Sequence, residues 1–227
     1  MTALQFALIP MAAIMIGALI AGWRTPGEKL VAAMQHLAAG VVFAAAATEI
    51  LPLVMHGGSP TATLIGGAIG VGVMLGLKAA ESRFEGPVAL LAAIGLDLAI
   101  DGLVLGLAFV AGEKAGMLLA VALTLEVLFL ALTLTNDLAV RYRKVVAIGM
   151  TCGLALLVPM GALVAQPIAV LPAVWITGFL SFGLMALLYL VTEELLVEAH
   201  EKPDSPLISA MFFVGFLMLL LIEEIMS

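Results

Sequence analysis

The chain has 227 residues, 64% hydrophobic and only 11% charged, with a mean hydropathy of +1.25, whereas a soluble domain is typically nearer half apolar and a quarter charged. That balance excludes a soluble globular domain, and the few Lys and Arg within a net charge of -7 exclude a nucleic-acid-binding surface. A single cysteine, Cys152, excludes an internal disulfide, a CxxC redox motif and a thiolate zinc site, and reads as a small core residue.

In chain order, apolar runs of the ~20 residues needed to cross a bilayer are separated by Pro, Gly and charge clusters. Eight spans are predicted, over 3–22, 31–55, 61–80, 87–111, 115–137, 143–166, 170–198 and 206–225. The expected fold class is therefore all-α, a polytopic membrane bundle in which residues 1–227 form a single transmembrane domain. The longest connection, around His200 to Ser205, leaves no room for a soluble one. Because no basic leader precedes the first run, it is expected to be a span and not a removable signal. Small residues one helical turn apart, at Gly66/Gly70, Gly72/Gly76 and Gly102/Gly106, predict close helix approaches. Pro52 and Pro159 predict kinks.

Eight of the nine positive residues fall in alternate connections: Arg24 and Lys29, Lys78 and Arg83, Arg141, Arg143 and Lys144, and Lys202. Only Lys114 falls in the others. By the positive-inside rule the first set is cytoplasmic and both termini face outward.

Six acids lie inside the predicted spans: Glu49, Asp97, Asp101, Glu126, Glu193 and Glu194. A charge at the bilayer centre costs ~2.5 to 3.5 kcal/mol on insertion scales, so such residues face the bundle interior and mark a pathway or a pair. Asp97 and Asp101 share a helical face one turn apart and repel unless a cation or a proton stands between them. Every Lys and Arg maps to a connection or a span end, so no basic residue is expected to answer these acids. With Glu49 near the outer end, Asp97, Asp101 and Glu126 near the middle and Glu193 and Glu194 towards the inside, they trace a crossing for a cation. Glu198, Glu201, Asp204, Glu223 and Glu224 read as solvated helix ends.

His36, His56 and His200 fall near span ends and read as interfacial residues. A central site of Asp97, Asp101 and Glu126 would then offer oxygen ligands only, which favours Mn²⁺, Mg²⁺ or Ca²⁺ over a site specialised for Zn²⁺.

Three stretches resemble the ZIP (Zrt/Irt-like) divalent-metal transporter family. His36-Leu-Ala-Ala-Gly40 followed by Glu49-Ile-Leu-Pro52 is similar to its A-A-G…L-P pattern. Asp97-Leu98-x-x-Asp101-Gly102-Leu103 followed by Gly106-Leu-Ala-Phe109 is similar to H-N-x-x-[DE]-G-L…G-x-A-F, and Tyr189 to His200 resembles the Y-V-x-x-E-E-L-I-P-E-A-H ending of one bacterial branch. The resemblance implies eight spans with both termini outside, and import of zinc, iron, manganese or a similar ion past Asp97, Asp101, Glu126, Glu49, Glu193 and Glu194. Two departures stand out. Asp97 and Leu98 replace the family's His and Asn, and of the fifth span's H-E-x-P-H-E run only Glu126 remains, so the family's binuclear site is incomplete.

The expected function is thus ZIP-like transport of a divalent cation into the cytoplasm, with proton exchange as a further expectation. The alternative is a ZIP-fold protein that has lost transport and serves as a sensor or interaction subunit. No enzyme is expected, since Gly95-Leu96-Asp97 is only a fragment of the intramembrane-protease GxGD motif and no histidine lies deep enough for serine chemistry. No permanent cofactor is expected, only the metal ion as substrate. The expected partners are that ion, the lipid bilayer of a bacterial inner membrane and a second copy of the chain, but no nucleic acid.

Overall fold

The computed structural model describes residues 3–23, 26–83, 87–201 and 205–226. Arg24, Lys202 and Asp204, and the side chain of Arg83, lie outside the described residues. Among the described residues there is helix and no strand, arranged as eight long helices: α1 (Ala3–Trp23), α2 (Glu28–His56), α3 (Pro60–Arg83), α4 (Pro87–Ala111), α5 (Glu113–Arg141), α6 (Lys144–Val170), α7 (Ala173–His200) and α8 (Pro206–Met226). All eight are long and apolar enough to cross a membrane, which fits a multi-pass membrane protein. The predicted spans recur in order. The second and fifth extend further than expected, because Glu28 and Glu113 lie in their first turns and Arg141 in the last turn of α5, where charge complements the helix dipole.

Three of the helices are irregular. In α2 a π turn at Ala46–Ile50 precedes Pro52, whose ring cannot accommodate the Thr48 carbonyl of a regular helix. The wider turn absorbs that conflict. A second π turn, Leu190–Leu195, interrupts α7 without a proline. α6 breaks at Ala155 and Leu156, restarts at Leu157 just before Pro159, and ends in a 3-10 turn at Gln166–Val170. The kink predicted at Pro159 is therefore a break placed one turn earlier in the chain.

The helices pack as two groups of four. α1, α4, α5 and α6 form one and α2, α3, α7 and α8 the other, with α2 against α5 and α4 against α7 joining them. Within each group the backbones approach closely. An added Cβ at Gly102 would collide with the Val158 carbonyl, and one at Gly161 with the Ala99 carbonyl, so α4 and α6 meet backbone to backbone beside Asp101. Gly66 and Gly70 likewise face the Gly178 and Phe182 carbonyls of α7. The Gly72/Gly76 spacing mediates no such approach, since nothing lies within 4 Å of either position.

Successive helices run antiparallel, so the connections at Gly112 and at Tyr142 mark opposite ends. Lys114 at the start of α5 meets Glu223 at the end of α8, 3.6 Å away, at the Gly112 end. Lys78 near the end of α3 meets Glu193 of α7, 3.3 Å away, at the Tyr142 end.

A buried carboxylate group as candidate metal site

Asp97 and Asp101 stand one turn apart on the face of α4 that meets α5, and Glu126 projects from the middle of α5. One oxygen from each lies within 4.8 Å of the others, and among the described residues no other group of three or more His, Cys, Asp or Glu is so close. Oxygens on opposite sides of a bound ion are roughly 4.2 Å apart for Mg²⁺ and about 4.8 Å apart for Ca²⁺. The 4.8 Å spread of the group matches the larger ion, and the carboxylates would have to close by a few tenths of an ångström around the smaller one.

Burial makes the arrangement costly without one. Asp101 and Glu126 are each 2% exposed, and Asp101 Oδ2 and Glu126 Oε2 are buried with no hydrogen-bond partner. Two unit charges ~5 Å apart repel by about 3 kcal/mol at an effective dielectric of ~20. The orphaned oxygens therefore fit a cation or a proton as the third party, on the observation that nothing in the protein supplies one to them. All three ligands are oxygens, so the donor set is that of a hard ion.

Asp97 is half-buried and lies one turn from Asp101 towards the Tyr142 end. Towards the Gly112 end the group is capped by Leu105 and Ala108 of α4 and Leu119, Ala122 and Leu123 of α5, none of them exposed. Towards the Tyr142 end, Leu98, Leu134, Leu138 and Ala147 are buried as well, so apolar side chains cover the group on both sides and Asp97 is its one partly exposed member.

The remaining predicted site residues divide. The charge of Glu194, on the π turn of α7, bears on both Asp101 and Glu126, so this acid borders the group. Glu49, on the π turn of α2, is 9% exposed and senses Glu223 and Lys114 at the Gly112 end, apart from the three carboxylates. Glu193 is turned outward, half exposed, and paired with Lys78. The expectation that no basic residue answers the acids fails there, because a lysine at a helix end carries its charge along a four-carbon stem to a neighbour at the same height. Glu223 and Glu198, expected to be plain solvated ends, also have partners: Lys114 for the first, and for the second Gln35, whose Nε2 donates to Glu198 Oε2 over 2.7 Å.

Of the three histidines expected at the interface, His36 departs by being buried, and exposed His200 meets it. His36 is 1% exposed and its ring lies edge-on to that of His200, centroids 5.0 Å apart. The available sequence signal was weak: Gln35-His36 is a polar pair in an apolar stretch of α2, and Glu198-x-His200 ends α7. Neither reveals that the two helices meet there.

Comparison with known protein families and with curated proteins gives no match.

Proposed function

We propose that the chain is a ZIP-like transporter that carries a divalent cation (zinc, iron, manganese or similar) into the cytoplasm through the Asp97, Asp101 and Glu126 site. The observation that carries this reading is the set of three carboxylates gathered within 4.8 Å at the middle of eight membrane-length helices, two of them with orphaned oxygens. Acids so placed are expensive to insert and mark ion or proton pathways. Orientation follows from charge. Lys29, Lys78, Arg141, Arg143 and Lys144 lie towards the Tyr142 end, against Lys114 at the other, so the Tyr142 end is cytoplasmic and both termini face out. On that assignment the half-buried Asp97 is the ligand nearest the cytoplasm, and the apolar side chains over Asp101 form the outer gate. Outward opening would expose Glu49 first. Release into the cytoplasm would pass Glu194, and protons would take the place of the departing ion on the carboxylates. A bacterial inner membrane is the setting in which we place it.

The test is uptake by proteoliposomes of a panel of competing divalent ions, for wild type and Asp97→Ala, with lumenal pH followed at the same time. Saturable uptake that Asp97→Ala abolishes supports the reading. Folded wild type that moves none of the ions rejects it.

One observation favours a second reading, a metal sensor or interaction subunit without flux: α5 contributes a single acid, so the group holds three ligands and one ion. Equilibrium binding of a divalent ion with no uptake would select that reading.

A further inference from the structure

Two features of the Tyr142 end lie outside the carboxylate site, the His36–His200 contact and the Gln35–Glu198 hydrogen bond, and both join α2 to α7. His36 Nδ1 lies 2.9 Å from the Ala32 carbonyl. A carbonyl only accepts, so Nδ1 carries the proton and the neutral ring presents its lone pair at Nε2. That Nε2 is buried and has no hydrogen-bond partner. His200 Nδ1 lies 2.6 Å from the Leu196 carbonyl, which fixes the same tautomer. A metal-binding imidazole characteristically has its other N–H held in this way, which sets the ring's angle and makes the ligating nitrogen more basic.

His56 repeats the local part of this pattern, with Nδ1 2.7 Å from the Pro52 carbonyl. It lies at the opposite end of α2, roughly 30 Å from His36 by helical rise. Anchoring alone is thus an ordinary habit of a helical histidine. What sets His36 apart is its orphaned, buried Nε2 beside a second imidazole.

We propose that His36 and His200 form a second cation site, taking a borderline-soft divalent ion such as Zn²⁺, Co²⁺, Ni²⁺ or Cu²⁺ between their Nε2 atoms. Among the described residues no third His, Cys, Asp or Glu joins the two rings in a group as tight as the carboxylates, so water completes the coordination shell and Glu198, held by Gln35, acts through that water. Nitrogen ligands select against Mg²⁺ and Ca²⁺, the reverse of the oxygen-only group. Glu194, which borders that group, stands six positions before His200, or roughly 9 Å along the helix. The two sites are close but share no ligand, and the second does not depend on transport by the first.

The experiment loads untagged protein in detergent with one equivalent of Cu²⁺ and records electron spin-echo modulation from the remote imidazole nitrogen, a signal that carboxylates and amines do not produce. Wild type should show it, and His36→Gln and His200→Gln should each lower its depth by at least about half. His56→Gln and the Asp97→Asn/Asp101→Asn/Glu126→Gln variant should leave it intact. Should buried His36→Gln fail to fold, exposed His200→Gln decides, once its gel-filtration elution matches wild type. A signal absent from wild type, undiminished in His200→Gln, or lost in His56→Gln or in the folded carboxylate variant overturns the proposal. Failure of uptake in vesicles would leave these outcomes unchanged, so the two proposals fall separately.

Discussion

Asp101 and Glu193 are both acids on long apolar helices, and the fold treats them in opposite ways. Glu193 reaches the surface, where Lys78 meets it 3.3 Å away with both side chains about half exposed. Asp101 is sealed inside, 2% exposed, against a glutamate and another aspartate, with an oxygen that nothing in the protein satisfies. Proteins normally bury a charge only with a partner, because the desolvation cost otherwise goes uncompensated. The difference teaches which of the acids the chain itself neutralises. At the helix end the chain supplies its own cation; at the centre, among the described residues, it supplies none to Asp101 Oδ2 or Glu126 Oε2.

The sharpest way to break this contrast is to remove one central ligand. Asp101→Asn should weaken divalent-ion binding about 100-fold, or ~2.7 kcal/mol, measured by titration of the purified protein. Binding within twofold of wild type would place the ion elsewhere. Next in size is Gly102→Val. Its Cβ would run into the Val158 carbonyl, and overpacking of this kind costs about 1 to 3 kcal/mol. A lower melting temperature together with weaker binding is expected, because the same turn of α4 carries Asp101.

A smaller effect should carry the opposite sign. In chelator, Glu126→Gln removes a like charge from the group and should raise the melting temperature, by an amount that the repulsion of about 3 kcal/mol bounds from above. Wild type should overtake it on adding metal at about 1,000 times the dissociation constant, which stabilises by ~4.1 kcal/mol. A variant less stable than wild type in chelator would show that the carboxylates are not in conflict. Smallest of all is Glu193→Gln, which removes an exposed ion pair worth about 0 to 1 kcal/mol. Binding should stay within twofold, and any larger loss would erase the distinction between the two acids.

Much of this layout is legible in the residues. Length and hydropathy specify eight helices, since ~20 apolar residues are what a bilayer demands, and the spacing of Asp97 and Asp101 puts them on one face. Their meeting with Glu126 follows from depth, as all three lie in the middle of their spans. What sequence conceals is azimuth. Depth puts Lys78 level with Glu193, and His36 level with His200, but whether two residues at one height touch depends on how each helix is rotated. The π turns change that rotation, and only the one before Pro52 has a local cause. Gly72/Gly76 shows the same limit from the other side: the spacing is right for close approach, yet it faces no helix.

The π turn at Leu190–Leu195 therefore has a consequence for which mutations the chain can survive. A π turn holds one residue more than the α-helical turn it replaces, and each residue of an α-helix turns the chain by about 100°, so letting this turn relax to regular helix at constant length would swing everything after it by about that angle. Glu198 and His200 would leave α2 although neither had been altered. For the end of α7, the number of residues between Tyr189 and Leu196 therefore matters as much as their identity: a one-residue deletion that closes the π turn to regular helix should keep Glu198 and His200 against α2, whereas relaxing the turn at full length should not.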